Sequence, residues 1–293
     1  MQNQIAVLKE YDILERLGNQ KRRKFCDVFK VQHKATLEVF ILKVSINTLG
    51  KETLRSEAQF SFNSKGLPEV IWCIEDEDST AILLKYKKGI TLDHFFKKLK
   101  TKEQFDTLIR ICENLSPILK ELESKQIAHL DLKPSNILVD ETDASINLID
   151  FGLAIEYGKT NYRKLIFPLG YASPEVILNR LHLVNHQSDY FSIAVIIFQL
   201  FEGKLPLLNA NPSITTNLQI THPLPESDKL DKKANCALQK LGAKFSFSVA
   251  PNALSNEEID QSLKLGQSYR YNNFEEFITE FKSGRLKKKW IVF

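Results

Sequence analysis

The stretch HLDLKPSNILVD, residues 129–140, holds an aspartate, a lysine and an asparagine within six positions, and Asp150 follows nineteen residues after Asp131. Phosphoryl transfer asks a protein for a positioned hydroxyl, cations against the phosphates and oxygen ligands for magnesium. Asp131 can accept the proton of an incoming hydroxyl, Lys133 can offset charge on the moving group, and Asn136 offers a hard oxygen to magnesium. Asp150 adds a carboxylate at the end of a second strand-like run. Taken alone, the D-x-K-x-x-N pattern suits a capped turn equally well, its polar groups merely satisfying the backbone.

Such residues need elements to hold them. DVFKVQHK, LEVFILKV, EVIWCIED and TAILLKY are rich in Val, Ile, Phe and Leu and bounded by charged or turn residues, which predicts an antiparallel sheet in the first hundred residues. KETLRSEAQFSF interrupts it with helix formers, Leu54, Ala58 and Phe62 recurring every four positions. From residue 92 the period becomes helical, in TLDHFFKKL and in EQFDTLIRICENLSPILKELESK, where Pro117 is expected to bend or break the helix. HLDLKPSNILVD and ASINLIDFGLA supply two short strands with polar residues at their ends, and the chain is then mostly helical to NNFEEFITEF. The expected class is α+β, a small β-rich lobe before a larger helical one, with a hinge near KYKKG, residues 85–89. Ligands favour such junctions.

The 293 residues, 43% hydrophobic, can bury a sizeable core, and 40 basic against 36 acidic residues leave a net charge of +4. That excess is too small to argue for DNA or RNA as a partner. Cys26, Cys73, Cys112 and Cys236 lie far apart without CxxC spacing, which argues against a zinc site or disulfide scaffold and for the reducing cytoplasm. The N-terminus lacks the pattern of a secretion signal, and the apolar run FSIAVIIFQLF, residues 191–201, is about half the ~20 residues needed to span a bilayer. It is expected to be a core helix, with no membrane insertion.

HLDLKPSN followed by DFG resembles the catalytic and magnesium loops of eukaryotic-type Ser/Thr protein kinases, and the resemblance extends over almost the whole chain. VFILKV places Lys43 where that family grips the α and β phosphates of ATP, with Glu57 as its ion-pair partner and Glu52 as the other candidate. FPLGYASPE is similar to the family's segment ending in A-P-E, with Glu175 in the acid position and Ser173 in place of alanine. Asp189 stands where a helix residue ties down the catalytic loop, and Arg270 where an arginine pairs with Glu175. The resemblance implies a bilobal kinase-like domain over 1–293, with an N-lobe at 1–86 and a C-lobe at 87–293. It implies ATP and Mg2+ as cofactors, Asp131 as base aided by Lys133, and Asn136 and Asp150 as metal ligands. Gly18, Lys43, Glu57 and the hinge residues Lys85, Tyr86 and Lys87 would serve the nucleotide. Lysine two places after the aspartate is the family's usual sign of a protein acceptor carrying serine or threonine, and any regulation would come from partners or the short tails.

Several positions depart from the pattern. The turn LGNQKRRKFCDVFKV keeps only Gly18, is about three residues longer and carries Cys26 near the last glycine position. Side chains there would crowd the approach of backbone N–H groups to phosphates; Lys21, Arg22, Arg23 and Lys24 could replace those contacts or form a solvated basic loop. Leu130 replaces the arginine that docks an activation-segment phosphate in many members, so modification of Thr160 or Tyr162 is expected to be unnecessary for activity. Pro168 removes a hydroxyl that would bridge Asp131 and Lys133. His129 resembles the family's structural histidine; His33, His94, His182, His186 and His222 show no ligand spacing. Trp72 and Trp290 are expected to pack, and the tail GRLKKKWIVF to dock back on the domain, with an acidic partner as the alternative. Two other readings stand beside the protein kinase: a pseudokinase that binds without transferring, which the degraded turn would suit, and a phosphotransferase acting on small molecules.

Overall fold

The computed structural model describes residues 9–18, 26–159, 170–245, 247 and 251–287. The chain divides into two units, the first formed by residues 1–89 and 147–154, the second by 90–146 and 155–293.

In the first unit, strands β1 (Tyr11–Arg16), β2 (Asp27–His33), β3 (Val39–Ser45), β4 (Val70–Glu75) and β5 (Thr80–Lys85) form an antiparallel sheet in the order β1-β2-β3-β5-β4. Helix α1 (Thr48–Ala58) connects β3 to β4 and is capped by Asn47, whose side chain accepts from the Gly50 N–H at 2.8 Å. Side chains alternate faces along a strand. Leu42, with Val31, Ala81 and Leu83, therefore faces one way, while Ile41 joins Leu54, Ile82 and Leu84 on the side of α1. Lys43 shares that second face, opposite Val28 on β2 and Ile82 on β5.

Helix α1 stops at Ala58, so Phe62 does not continue its stripe as the four-residue spacing suggested. Phe62 is buried for another reason: its ring and that of Phe60 lie 5.5 and 6.2 Å from Phe151, in the returning segment 147–154. That segment is also tied to the unit by the Leu148 N–H, which donates to Gly66 O at 2.8 Å.

The second unit contains β6 (Ile90–Thr91), α2 (Leu92–Lys98), α3 (Thr101–Ser124), β7 (Ile127–Ala128) and β8 (Ile137–Val139). After β9 (Ile146–Leu148), which leads into the first unit, come β10 (Ile155–Glu156), α4 (Pro174–Ile177), α5 (His186–Glu202), α6 (Pro212–Thr221), α7 (Lys232–Leu241), α8 (Asn256–Ser268) and α9 (Phe274–Lys282). Strand β7 pairs with β10 and β6 with β8, both antiparallel. The apolar run 191–201 lies inside α5, a helix buried on nearly all sides, capped by the Asn185 side chain and ended by Gly203 at φ 72°. Among the described residues no helix is long and apolar enough to cross a membrane.

Helix α3 runs unbroken through Pro117, so of the expected bend or break the break does not occur. Proline deprives only the carbonyl four residues earlier of its donor, and Glu113 and Pro117 both lie on the exposed face, where water can serve that carbonyl. Phe105 from this helix stacks on Phe281 of α9 at 5.1 Å, and Phe277 lies 5.2 Å further along. The first residues of the tail dock back within the second unit: Leu286 bridges Leu230, and Lys287 N–H donates to Lys229 O at 2.8 Å.

Candidate active site

Lys43 is a lysine on an apolar strand face, a placement that is costly unless the amine is paired. Its Nζ donates to both carboxylate oxygens of Glu57, at 2.7 and 2.8 Å, and to Asp150 Oδ1 at 3.0 Å. Glu57 sits one turn after Leu54 on the buried side of α1, which resolves the choice of partner in its favour over Glu52. Burial by itself would discharge Lys43, but the charges of Asp150 and Glu57 outweigh it and hold the amine protonated well above its ordinary range. One amine serves two carboxylates, so the fully buried Glu57 is pushed up, chiefly by burial and further by the charge of Asp150.

Asp150 adopts the left-handed conformation, φ 70°, immediately before the short 3-10 turn Phe151–Leu153. Phe151 anchors that turn in the aromatic cluster with Phe60 and Phe62, and Gly152 lies against the side chain of Thr53 on α1, where a Cβ would collide. The turn that carries Asp150 and the helix that carries Glu57 thereby share one packed contact.

In the second unit, Asp131 and Asn136 are buried and Lys133 is partly exposed. Lys133 Nζ donates to both Asp131 oxygens, at 2.9 and 2.7 Å, while Asn136 Nδ2 donates to Asp131 Oδ2 at 2.8 Å and to its backbone carbonyl at 2.9 Å. With its amide nitrogen fixed on Asp131, Asn136 turns its oxygen the other way, where the Ser135 hydroxyl approaches at 3.5 Å. Asn136 Oδ1 in the second unit and the partly exposed carboxylate of Asp150 in the first are each a hard oxygen, the donor type magnesium prefers.

Leu130 holds φ 61°, a conformation that strains a non-glycine residue by about 1–2 kcal/mol. Asp189 supports it by accepting from the His129 and Leu130 N–H groups, at 2.7 and 2.9 Å. The Leu130 side chain is buried with Ala128, Ile155, Ala172 and Val176. Close by in sequence, Glu175 receives Arg270 through two hydrogen bonds and the Ser188 hydroxyl at 2.8 Å. Ser173 buries its hydroxyl without a hydrogen-bond partner among the described residues.

The remaining expected site residues lie in the first unit. Gly18 has φ 81°, Lys85 Nζ pairs with Glu69 at 3.1 Å, and the Tyr86 ring lies under the Lys30 amine at 4.6 Å. Partial burial lowers the Lys87 amine from its ordinary range. Lys21, Arg22, Arg23, Lys24, Thr160, Tyr162, Pro168 and Trp290 lie outside the described residues. Sequence reasoning missed Ser188 and Gln219. Ser188 meets Glu175 13 positions away, and Gln219 meets Gly170 and Ala172 at 49 and 47, separations that no local pattern signals.

A family model described as "Protein kinase domain" matches residues 11–263. The chain is 30% identical over 213 residues to the smooth-muscle myosin light chain kinase of Gallus gallus, covering 70% of this chain and 11% of that one. It is 25% identical over 222 residues to the serine/threonine-protein kinase AtPK1/AtPK6 of Arabidopsis thaliana, covering 72% and 45%. The chain thus spans less than half the length of these relatives. The solved structure of the Cydia pomonella granulovirus kinase PK-1 has the same fold, with a TM-score of 0.68 at 19% identity over 95% of this chain and 96% of that one. The chain belongs to the protein kinase family.

Proposed function

We propose that this kinase domain transfers the γ-phosphoryl group of Mg-ATP to a serine or threonine hydroxyl of another protein. The acceptor hydroxyl gives its proton to Asp131, its oxygen attacks the γ-phosphorus, and the bond to the β–γ bridging oxygen breaks to release ADP. Lys133, already on the Asp131 carboxylate, offsets charge on the group in flight. Lys43, kept charged by Glu57, grips the α and β phosphates, with Gly18, Lys85, Tyr86 and Lys87 serving the rest of the nucleotide. Asn136 and Asp150 would hold the magnesium, which neutralises phosphate charge when bound. The cytoplasm is the compartment we propose, on the cysteine pattern.

The observation that carries this reading is the double engagement of Asp131 by Lys133 and Asn136, which fixes a buried carboxylate in one orientation. A capped turn has no need of that arrangement. The test is incubation with labelled ATP, magnesium and mixed histones, comparing the wild type with Asp131→Asn and Asp150→Ala and identifying the phosphorylated residue type. Label on serine and threonine that both variants abolish is expected. Equal incorporation by all three chains would leave a binding module, and label accepted only by a panel of small metabolites would favour the small-molecule enzyme.

A further inference from the structure

We infer that Gln219 is a positioning residue for the acceptor side of the transfer, acting through the backbone of Gly170–Ala172; this role rests on the reading of Asp131 as the catalytic base. Gln219 lies in α6 and is 3% exposed. Its Oε1 accepts from the Gly170 N–H at 3.1 Å and its Nε2 donates to the Ala172 carbonyl at 3.0 Å. A single amide thus serves the backbone of a three-residue stretch as a neighbouring strand would. Tyr171 between them is held separately, its carbonyl accepting from the Ser192 hydroxyl at 3.0 Å and its own hydroxyl donating to Gln199 at 2.7 Å.

Two further features hold the clamp in place. Lys244 Nζ donates to the backbone carbonyl of Gln219 at 2.5 Å, fixing the end of α6 from behind. Gly170 has φ 99°, and a Cβ there would lie 2.8 Å from Leu205, so the backbone comes closer than any side chain allows. Both the oxygen and the nitrogen of the buried Gln219 amide are engaged, and any shift of the 170–172 backbone leaves polar groups unpaired.

The link to chemistry runs through packing. Ala172 shares a buried apolar cluster with Ala128 and Leu130, and Leu130 directly precedes Asp131. Close-packed interiors pass displacements on rather than absorbing them. Every residue in this chain of contacts belongs to the second unit, whereas Lys43 and the other nucleotide residues belong to the first. Loosening the clamp is therefore expected to affect use of the acceptor and not of ATP.

Hydrogen exchange on the wild-type chain tests the clamp directly. The Gly170 amide is expected to be protected like the core amides of α5, and exchange at the rate of an open loop would overturn the inference whether or not the chain transfers phosphate. The kinetic arm compares Gln219→Met with Gln219→Glu, which keeps an oxygen for the Gly170 N–H, using mixed histones as acceptor. The methionine variant is expected to lose about tenfold in kcat/KM for the acceptor, the glutamate variant less, with KM for ATP and the circular dichroism spectrum unchanged. Wild-type kinetics in both, or acceptor and ATP constants that worsen together, would overturn the role. If the methionine chain fails to fold, the glutamate chain carries the comparison. A protected Gly170 in a wild type that transfers nothing would sink the phosphoryl-transfer reading, and with it the positioning role.

Discussion

Arg270 and Glu175, 95 positions apart, meet through two hydrogen bonds, Nη1 to Oε1 at 2.7 Å and Nη2 to Oε2 at 3.1 Å, with 3% and 0% of their surfaces exposed. Burial would raise the Glu175 carboxyl, but the charge and hydrogen bonds of Arg270 overcome it and hold the group at about 2, below its ordinary 4.5. A carboxyl depressed on folding stabilises the protein above its unfolded value, and that stability disappears as pH falls through the folded one. Stability is therefore expected to decline between pH 4.5 and 2, by up to about 1.4 kcal/mol per pH unit for this proton. Denaturant midpoints across that range check it. Glu175→Gln is expected to start roughly 3–5 kcal/mol lower, with a flatter acid slope; parallel slopes would remove the pair as the acid-labile element.

Lys43→Met would strand Glu57, which is 1% exposed, beside Asp150 without a cation. At saturating ATP the variant is expected to lose about 10²–10³-fold in kcat, the scale of one misplaced charge-stabilising donor. Label transfer within a factor of a few of wild type would end the assignment of Lys43 to the phosphates.

Asp131→Asn and Asn136→Ala separate two roles that share one hydrogen bond. The first is expected to lower kcat by about 10²–10⁴-fold with little effect on KM for ATP, as loss of a proton acceptor does. The second should instead raise the magnesium concentration needed for half-maximal rate. An unchanged magnesium titration would exclude Asn136 as a ligand.

Leu130 fills an apolar cluster where many family members carry a cation for a docked phosphate. A phosphatase-treated chain is therefore expected to keep its activity, and phosphorylation at Thr160 or Tyr162 to add little. Inactivity until those residues are modified would contradict this. Leu130→Arg should not create a receptor but lower stability by roughly 2–5 kcal/mol, because the new charge is buried among hydrocarbons.

Ser173→Ala removes a buried hydroxyl that has no hydrogen-bond partner among the described residues. The substitution is expected to raise stability by about 1 kcal/mol, read as an upward shift of the thermal midpoint. A fall would mean that the hydroxyl is served by bound water.

Much of this fold was legible because its elements bury one face each. Strands β2 to β5 and helices α2, α3 and α5 follow from the apolar period, and the loop trio from spacing. Strand β1 escaped notice because Asp12, Glu15 and the exposed Ile13 and Leu14 give it no clean alternation. The end of α1 was misjudged because Phe62 is buried by Phe151, a partner 89 positions away that a local period does not report. The break that Pro117 allowed does not occur, since what a proline costs depends on whether its turn faces water. The choice between Glu57 and Glu52 needed the helix phase against β3, which only the packed unit supplies.

Gly152 gives the first unit a mechanical sensitivity out of proportion to its size. The helix bearing Glu57 rests on that residue through Thr53, with no space left even for a methyl. Any group larger than hydrogen would act as a wedge, prying α1 from the turn and drawing Glu57 away from Lys43. Whether the amine and its carboxylate stay engaged thus hangs on the smallest side chain available, at a position with no reactive atom of its own.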